Sequence, residues 1–153
     1  MTARRAIVLV DDDESHVLVA KRAIQRSQLE AEVHTVSTGG EALELLGLAA
    51  ESAPAERRVA VVMLDLGLPD MSGWDVLGRI RKHPRMRTLP VVLVSSSNRP
   101  EDVDRGYEAG ANSYLVKRHE RGKPGQYVAE AARYWVELNE PPRLGRPDHT
   151  RSP

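Results

Sequence analysis

Three uninterrupted apolar runs of strand length constrain this chain more than any other feature. They are Ile7-Val8-Leu9-Val10, residues 59–64 (VAVVML) and residues 89–94, the last broken only by Pro90 near its start, where a strand tolerates proline. A strand with one face in water alternates apolar and polar residues. A run with no polar break predicts burial on both faces. Two weaker strands are read at 32–36 and 113–116.

Helical patterns fill the intervals. Val17, Ala20 and Ile24 mark one face of a helix that starts near Glu14. Thr38 with Glu41 forms a capping box, and Ala42, Leu45, Leu46 and Ala49 follow at helical spacing. Ser72 with Asp75 marks another helix start, with Trp74, Leu77 and Ile80 on its inner face. Pro100 suits a first helical position, Glu101 and Asp102 suit the positive end of the helix dipole, and that helix is predicted to end at Gly110. Val128, Ala131, Trp135 and Leu138 are read as the inner stripe of a last helix. Strand and helix thus alternate along the chain. That order predicts an α/β fold, a parallel sheet covered on both faces with right-handed crossovers.

Length and composition narrow the function. The 153 residues, 41% of them hydrophobic, suit one domain, read as residues 1–140. Residues 141–153, rich in Pro and Arg, read as a flexible C-terminal tail, and 52–58 as a polar loop. There is no cysteine, which excludes a disulfide framework, a thiolate zinc site and a cysteine nucleophile, and fits a reducing cytosol. Basic and acidic residues balance at 22 each, without the basic excess of a nucleic-acid binder. No apolar run approaches the ~20 residues of a membrane helix, and the apolar run at the N-terminus is too short for a signal-peptide core. A soluble, cytoplasmic protein is expected.

In an open parallel sheet, ligands bind beyond the carboxyl ends of the strands. Asp11, Asp12 and Asp13 follow the first strand, Asp65 the third, Ser95, Ser96 and Ser97 the fourth, and Lys117 the fifth. Two unit charges about 4 Å apart repel by roughly 4 kcal/mol at an effective dielectric near 20. Carboxylates gathered at one edge therefore need raised pKa values, a cation, or both. Lys117 supplies one charge. Oxygen-only ligands select magnesium, manganese or calcium over zinc. Any single Asp here reads equally well as solvated surface, and Asp13 as a helix N-cap; the signal lies in four strand ends meeting. The histidines (His16, His34, His83, His119, His149) show no ligand spacing and are read as surface.

These residues resemble the receiver domains of two-component response regulators. Ile7-Val8-Leu9-Val10-Asp11-Asp12 resembles the family's first strand and acidic pair. The segment Val61-Val62-Met63-Leu64-Asp65-Leu66-Gly67-Leu68-Pro69-Asp70-Met71-Ser72-Gly73 resembles its phosphoacceptor segment. Val91-Val92-Leu93-Val94-Ser95-Ser96 resembles the switch-hydroxyl strand, and Ala109-Gly110-Ala111-Asn112-Ser113-Tyr114-Leu115-Val116-Lys117 the segment with the switch aromatic and the lysine. The resemblance implies a flavodoxin-like doubly wound sheet of five strands in the order 2-1-3-4-5, with five helices. It implies Asp65 as phosphoacceptor for a sensor histidine kinase. Asp11, Asp12, Asp65 and the backbone carbonyl of Gly67 would hold Mg2+, for which Mn2+ or Ca2+ can substitute. Ser95 and Lys117 would contact phosphoryl oxygens, and Ser95 and Tyr114 would form the switch. Such a protein is a phosphoacceptor with its own autophosphorylation and autodephosphorylation chemistry, not a dedicated enzyme.

The chain departs from the family pattern in places. Arg118 stands where the family usually has proline, often cis; a non-proline cis bond costs roughly 2.5–4 kcal/mol, so a trans Lys117–Arg118 bond is predicted. Gly67 stands where the family often has a larger polar residue, and Ser95 where threonine is commoner. The loop after Lys117 and the ending Tyr134-Trp135-Val136-Glu137-Leu138-Asn139-Glu140-Pro141-Pro142 resemble single-domain regulators paired with phytochrome-type kinases. The kinase partner implied is then a bacteriophytochrome. Homodimerisation through the face of helix 4, strand 5 and helix 5 is compatible, with Tyr107, Trp135 and Val136 as interface or core residues.

Rival readings are weaker. An aspartate-nucleophile phosphatase or dehalogenase wants a second Asp two residues after the first, where this chain has Gly67. A pseudo-receiver that never takes phosphate would lack site residues that are all present here. The length leaves no room for a DNA-binding domain, so output is expected through protein contacts, a relay or a phosphate sink.

Overall fold

The computed structural model describes residues 4–49 and 58–144. The elements are β1 (Ala6–Val10), α1 (Glu14–Arg26), β2 (Glu32–Val36), α2 (Gly39–Leu45), β3 (Val59–Asp65), α3 (Gly73–Lys82), β4 (Val91–Ser95), α4 (Pro100–Glu108), β5 (Ser113–Val116) and α5 (Gln126–Arg133). A π-helical segment, Tyr134–Leu138, extends α5. The strands form one five-stranded parallel sheet in the order β2-β1-β3-β4-β5, the flavodoxin-like order that the resemblance implies.

The apolar runs have the expected cause. Ile7, Leu9, Val61, Met63, Val92 and Val94 point to one side, into a core with Ala20 and Ile24 of α1 and Val128 and Ala132 of α5. Val8, Val10, Val62, Leu64, Val91 and Leu93 point to the other, among Ala42 of α2 and Val76, Leu77 and Ile80 of α3. Neighbouring residues on each central strand thus serve opposite cores, which leaves no position for a polar side chain. The edge strands β2 and β5 are only partly covered, which is why their patterns read as weaker.

Helix ends follow local chemistry. Thr38 Oγ1 accepts from Glu41 N at 3.0 Å and Ser72 Oγ from Asp75 N at 3.2 Å, while Asp13 caps α1 through His16 N at 3.1 Å. Helix α2 stops before the predicted Ala49. Gly47 takes φ +73°, and Leu48 N donates to the Leu43 carbonyl at 2.8 Å, a Schellman closure that glycine permits. Gly110, with φ +99°, closes α4 in the same way, through Ala111 N on the Gly106 carbonyl at 3.0 Å.

The last helix departs from its predicted stripe. Tyr127, Val128, Ala129, Ala132 and Val136 are buried, Ala131 and Trp135 are half-buried, and Leu138 is 75% exposed. The wide π turn, closed by Asn139 N on the Tyr134 carbonyl at 2.8 Å, shifts the inward face after Arg133. Val136 therefore belongs to the core rather than to an interface. Trp74 is half-buried, its ring lying under the Arg105 guanidinium of α4 at 4.3 Å. Residue Leu144 packs against the α2–α3 core. Residues 145–153 of the predicted tail, and 52–57 of the predicted loop, lie outside the described residues. No helix among the described residues is long and apolar enough to cross a membrane.

One side chain fastens the entry of β4. Arg81 donates to the carbonyls of Leu89 at 2.6 Å and Gly110 at 2.7 Å and to Asn112 Oδ1 at 2.9 Å, and Asn112 Oδ1 also accepts from Val91 N at 2.8 Å. Hydrogen bonds from a charged donor contribute about 1.5–3 kcal/mol. Arg81→Met is expected to lower urea-measured stability by about 2 kcal/mol and to leave the acidic edge intact. A loss within error of zero would contradict that role.

Candidate functional site

The strand ends place the chemistry. With β1 beside β3 and β3 beside β4, the residues that close these strands come together at one edge. Asp11, Asp65 and Ser95 are buried there, and Asp12 is exposed. Lys117 reaches the same edge because its backbone N–H donates to the Ser95 carbonyl at 2.8 Å.

Lys117 Nζ lies 2.6 Å from Asp65 Oδ2 and 3.1 Å from Asp11 Oδ2. Asp65 Oδ1 accepts from Gly67 N at 2.8 Å, so the turn after β3 holds the carboxylate by its other oxygen. Asp11 Oδ1 accepts from Asp13 N at 2.9 Å. Asp11, Asp12 and Asp65 each offer an oxygen, all within 4.8 Å of one another. This donor set fits a hard divalent cation that takes carboxylate oxygen.

Two buried carboxylates and one lysine share this space, and the pKa values of the two carboxyls are pushed apart. Burial pushes Asp65 up and, together with Asp11, outweighs the lowering by the Lys117 and Gly67 hydrogen bonds. Burial also opposes ionisation of Asp11, but hydrogen bonds from His16 and Asp13 N, with Asp65 and Lys117 behind them, hold it well below the usual carboxylate range. Burial disfavours the Lys117 ammonium as well, yet the two carboxylates raise its pKa overall. Diverging pKa values are the expected response of like charges in contact.

The switch candidates stand beside this cluster. Ser95 Oγ accepts from Ser97 N at 3.2 Å and makes no hydrogen bond to Asp65. The Tyr114 hydroxyl donates to the Ser97 carbonyl at 2.9 Å. Its ring rests on Gly106 of α4, where a Cβ would come within 3.0 Å of it. The segment 95–97 is thus gripped from the acidic edge and from Tyr114. The described residues contain no cis peptide bond, so Lys117–Arg118 is trans, as the missing proline predicts.

One residue was misread from sequence. His16, expected on the surface, is largely covered, with Nδ1 2.6 Å from Asp11 Oδ2 and Nε2 2.8 Å from the Tyr127 hydroxyl. A search for metal-ligand spacing passes over it, because its partners come from the end of β1 and from α5. The available signal was its place in the first turn of α1, directly after the acidic run.

Comparison with known proteins agrees with this geometry. The family model described as response regulator receiver domain matches residues 7–128. The probable methanogenesis regulatory protein FilR2 of Methanothrix harundinacea (strain 6Ac) is 32% identical over 136 residues, covering 89% of this chain and 86% of that protein. The crystal structure of the phosphorylated cyanobacterial phytochrome response regulator RcpA superposes with a TM-score of 0.81 at 31% identity, covering 92% of this chain and 99% of that one. The Mn(2+)-bound form of response regulator Rcp1 superposes with a TM-score of 0.77 at 27% identity, covering 90% and 98%.

Proposed function

Because this chain belongs to the response regulator receiver domain family, we propose that Asp65 is its phosphoacceptor and that a sensor histidine kinase is the donor. The observation that carries this reading is the Asp65 carboxylate, buried at the end of β3 and bonded to Lys117 at 2.6 Å within the acidic cluster. An Asp65 carboxylate oxygen attacks the phosphorus of a phosphohistidine. The N–P bond breaks, the imidazole departs and takes up a proton, and an aspartyl phosphate remains. The protein's part is positioning and charge neutralisation. Lys117, already between two carboxylates, faces the phosphoryl oxygens as they arrive. Asp11, Asp12, Asp65 and the Gly67 carbonyl would hold Mg2+, which supplies positive charge that favours the ionised acceptor and offsets the negative charge of the phosphoryl group.

The added phosphoryl group carries about −1.5 to −2 charges and strong acceptors. Ser95 is the hydroxyl placed to turn toward them. Movement of 95–97 would release or reset the Tyr114 hydroxyl on Ser97, which passes the change to the α4–β5–α5 face. Tyr107 of α4, 51% exposed, makes that face the candidate surface for self-association. The likeness to a phytochrome response regulator supports a light-sensing kinase as donor, and the absence of cysteine is in keeping with the cytoplasm.

The test is intact mass after incubation with acetyl phosphate, with and without Mg2+. The wild type is expected to gain one phosphoryl group only with the metal, and Asp65→Asn to gain none. Persistent labelling of Asp65→Asn would move the acceptor elsewhere. No labelling, combined with no Mg2+-dependent change in melting temperature, would sink the proposal.

A further inference from the structure

We propose that His16 is a positioning residue for Asp11, held in place in turn by Tyr127; this rests on the reading of Asp11 as a metal ligand. A carboxylate on so short a stem turns freely unless both oxygens are held. Asp13 N fixes Oδ1 at 2.9 Å. Oδ2 is shared by His16 Nδ1 at 2.6 Å and Lys117 Nζ at 3.1 Å. Lys117 is also the cation expected to turn toward an incoming phosphoryl group. When it does, His16 still holds Asp11 Oδ2 from the side of α1.

The imidazole is itself fixed. Its Nε2 lies 2.8 Å from the Tyr127 hydroxyl. A single neutral tautomer satisfies the whole chain: Tyr127 O–H donates to Nε2, and Nδ1–H donates to Asp11. Tyr127 is 8% exposed, its backbone N–H donates to Glu120 Oε1 at 2.9 Å, and the Arg118 guanidinium stands 5.4 Å from its ring. The residues just after Lys117 therefore wrap the tyrosine that backs His16. Arg118, standing where the resembled family has a stiffening proline, takes part in that anchorage. Groups that orient metal ligands commonly change metal affinity by 10–100-fold when removed.

A purely structural tie between α1 and α5 makes a different forecast: lower stability with unchanged metal binding. The full 153-residue chain decides between them by calorimetric Mg2+ titration, with each variant's metal-free melting temperature measured in EDTA. His16→Ala is expected to weaken Mg2+ binding about tenfold. His16→Asn, whose amide nitrogen falls near the place of Nδ1, should restore most of that affinity. Tyr127→Phe should weaken binding less than His16→Ala does, and add nothing further in the double variant. Unchanged Mg2+ affinity in both His16→Ala and Tyr127→Phe, with a lowered melting temperature, overturns the positioning role. If His16→Ala fails to fold, His16→Asn and Tyr127→Phe carry the same comparison. A wild type that does not bind Mg2+ removes the metal-site reading itself, a different failure from a wild type and a His16→Ala that bind equally.

Discussion

Lys117→Met is expected to lower the metal-free stability of this protein by about 3–5 kcal/mol, the usual result of removing one partner of a buried ion pair. The substitution keeps most of the side-chain volume and deletes the charge. Asp65 loses a partner at 2.6 Å and Asp11 one at 3.1 Å. Two buried carboxylates then face each other with no cation. Native domains hold only about 5–15 kcal/mol in total, so this is a large fraction of the whole. Urea unfolding in EDTA reads the loss directly. Mg2+ should return much of it, because a divalent cation among Asp11, Asp12 and Asp65 supplies the missing positive charge. A Lys117→Met protein within about 1 kcal/mol of wild type would show that the carboxylates do not depend on the lysine.

The pH dependence of that variant has a definite sign. In the wild type, the Lys117 pKa lies above its ordinary 10.5, so its contribution is complete below that value and is lost only as pH rises through the folded pKa. Its own ionisation is therefore constant through neutral and acidic solutions. Asp65 already sits above the ordinary 3.8, pushed by burial and by Asp11, and loses a lowering hydrogen bond when Lys117 goes. A carboxyl with a raised folded pKa contributes stability that is full below 3.8 and lost as pH rises through the folded value. The deficit of Lys117→Met should therefore be smaller near about pH 5 than near about pH 8. Asp11 works in the opposite sense. Its pKa is held down, so its contribution is present above the ordinary 3.8 and lost as pH falls through the folded value. The comparison belongs above that range. A deficit that grows on acidification would reverse the assignment of Asp65 as the carboxyl that takes the proton.

The sheet and the strand ends were legible in sequence for one physical reason: strands buried on both faces leave unbroken apolar runs, and whatever follows them must lie at the carboxyl edge. Asp11, Asp12, Asp65, Ser95 and Lys117 could be placed there by reading alone. What stayed hidden depends on contacts between distant elements or on backbone irregularity. His16 meets Tyr127 only because α1 packs beside α5, 111 residues along the chain. The inner face of the last helix was misjudged because the π turn at Tyr134–Leu138 breaks the periodicity on which the reading relied. The end of α2 at Leu45 turned on Gly47, a glycine whose left-handed conformation a spacing pattern does not reveal.

Two alanine substitutions on one helix should have opposite signs. Gly73 and Gly78 both lie in α3. Intrinsic propensity favours Ala over Gly by about 1 kcal/mol at an interior helical position. At Gly78 nothing lies within 4 Å of an added Cβ, so Gly78→Ala is expected to stabilise by about 0.5–1 kcal/mol. At Gly73 the same methyl would be driven against the Asp65 carbonyl oxygen and would lie 2.7 Å from Leu66 Cα. Those are backbone atoms of the acceptor residue and its neighbour, and Gly73 N is itself bonded to the Leu66 carbonyl at 3.0 Å. No rotamer can relieve the contact, so either β3 or the start of α3 must move. Overpacking costs about 1–3 kcal/mol and occasionally more; backbone against backbone belongs at the upper end, and Gly73→Ala should lose about 3 kcal/mol. Gly39 separates this from mere crowding. Its added Cβ would meet Met71 Cγ and lie 2.8 Å from Met71 Sδ and 2.9 Å from Val76 Cγ2; these are side-chain atoms, and the flexible methionine can yield, so Gly39→Ala should cost less than Gly73→Ala. Because the displaced atoms carry Asp65, phosphoryl uptake from acetyl phosphate should fall in Gly73→Ala and hold in Gly78→Ala. A Gly73→Ala protein as stable as Gly78→Ala would mean that the first turn of α3 does not lie against the acceptor, and the close-packed seat argued for Asp65 would be lost with it.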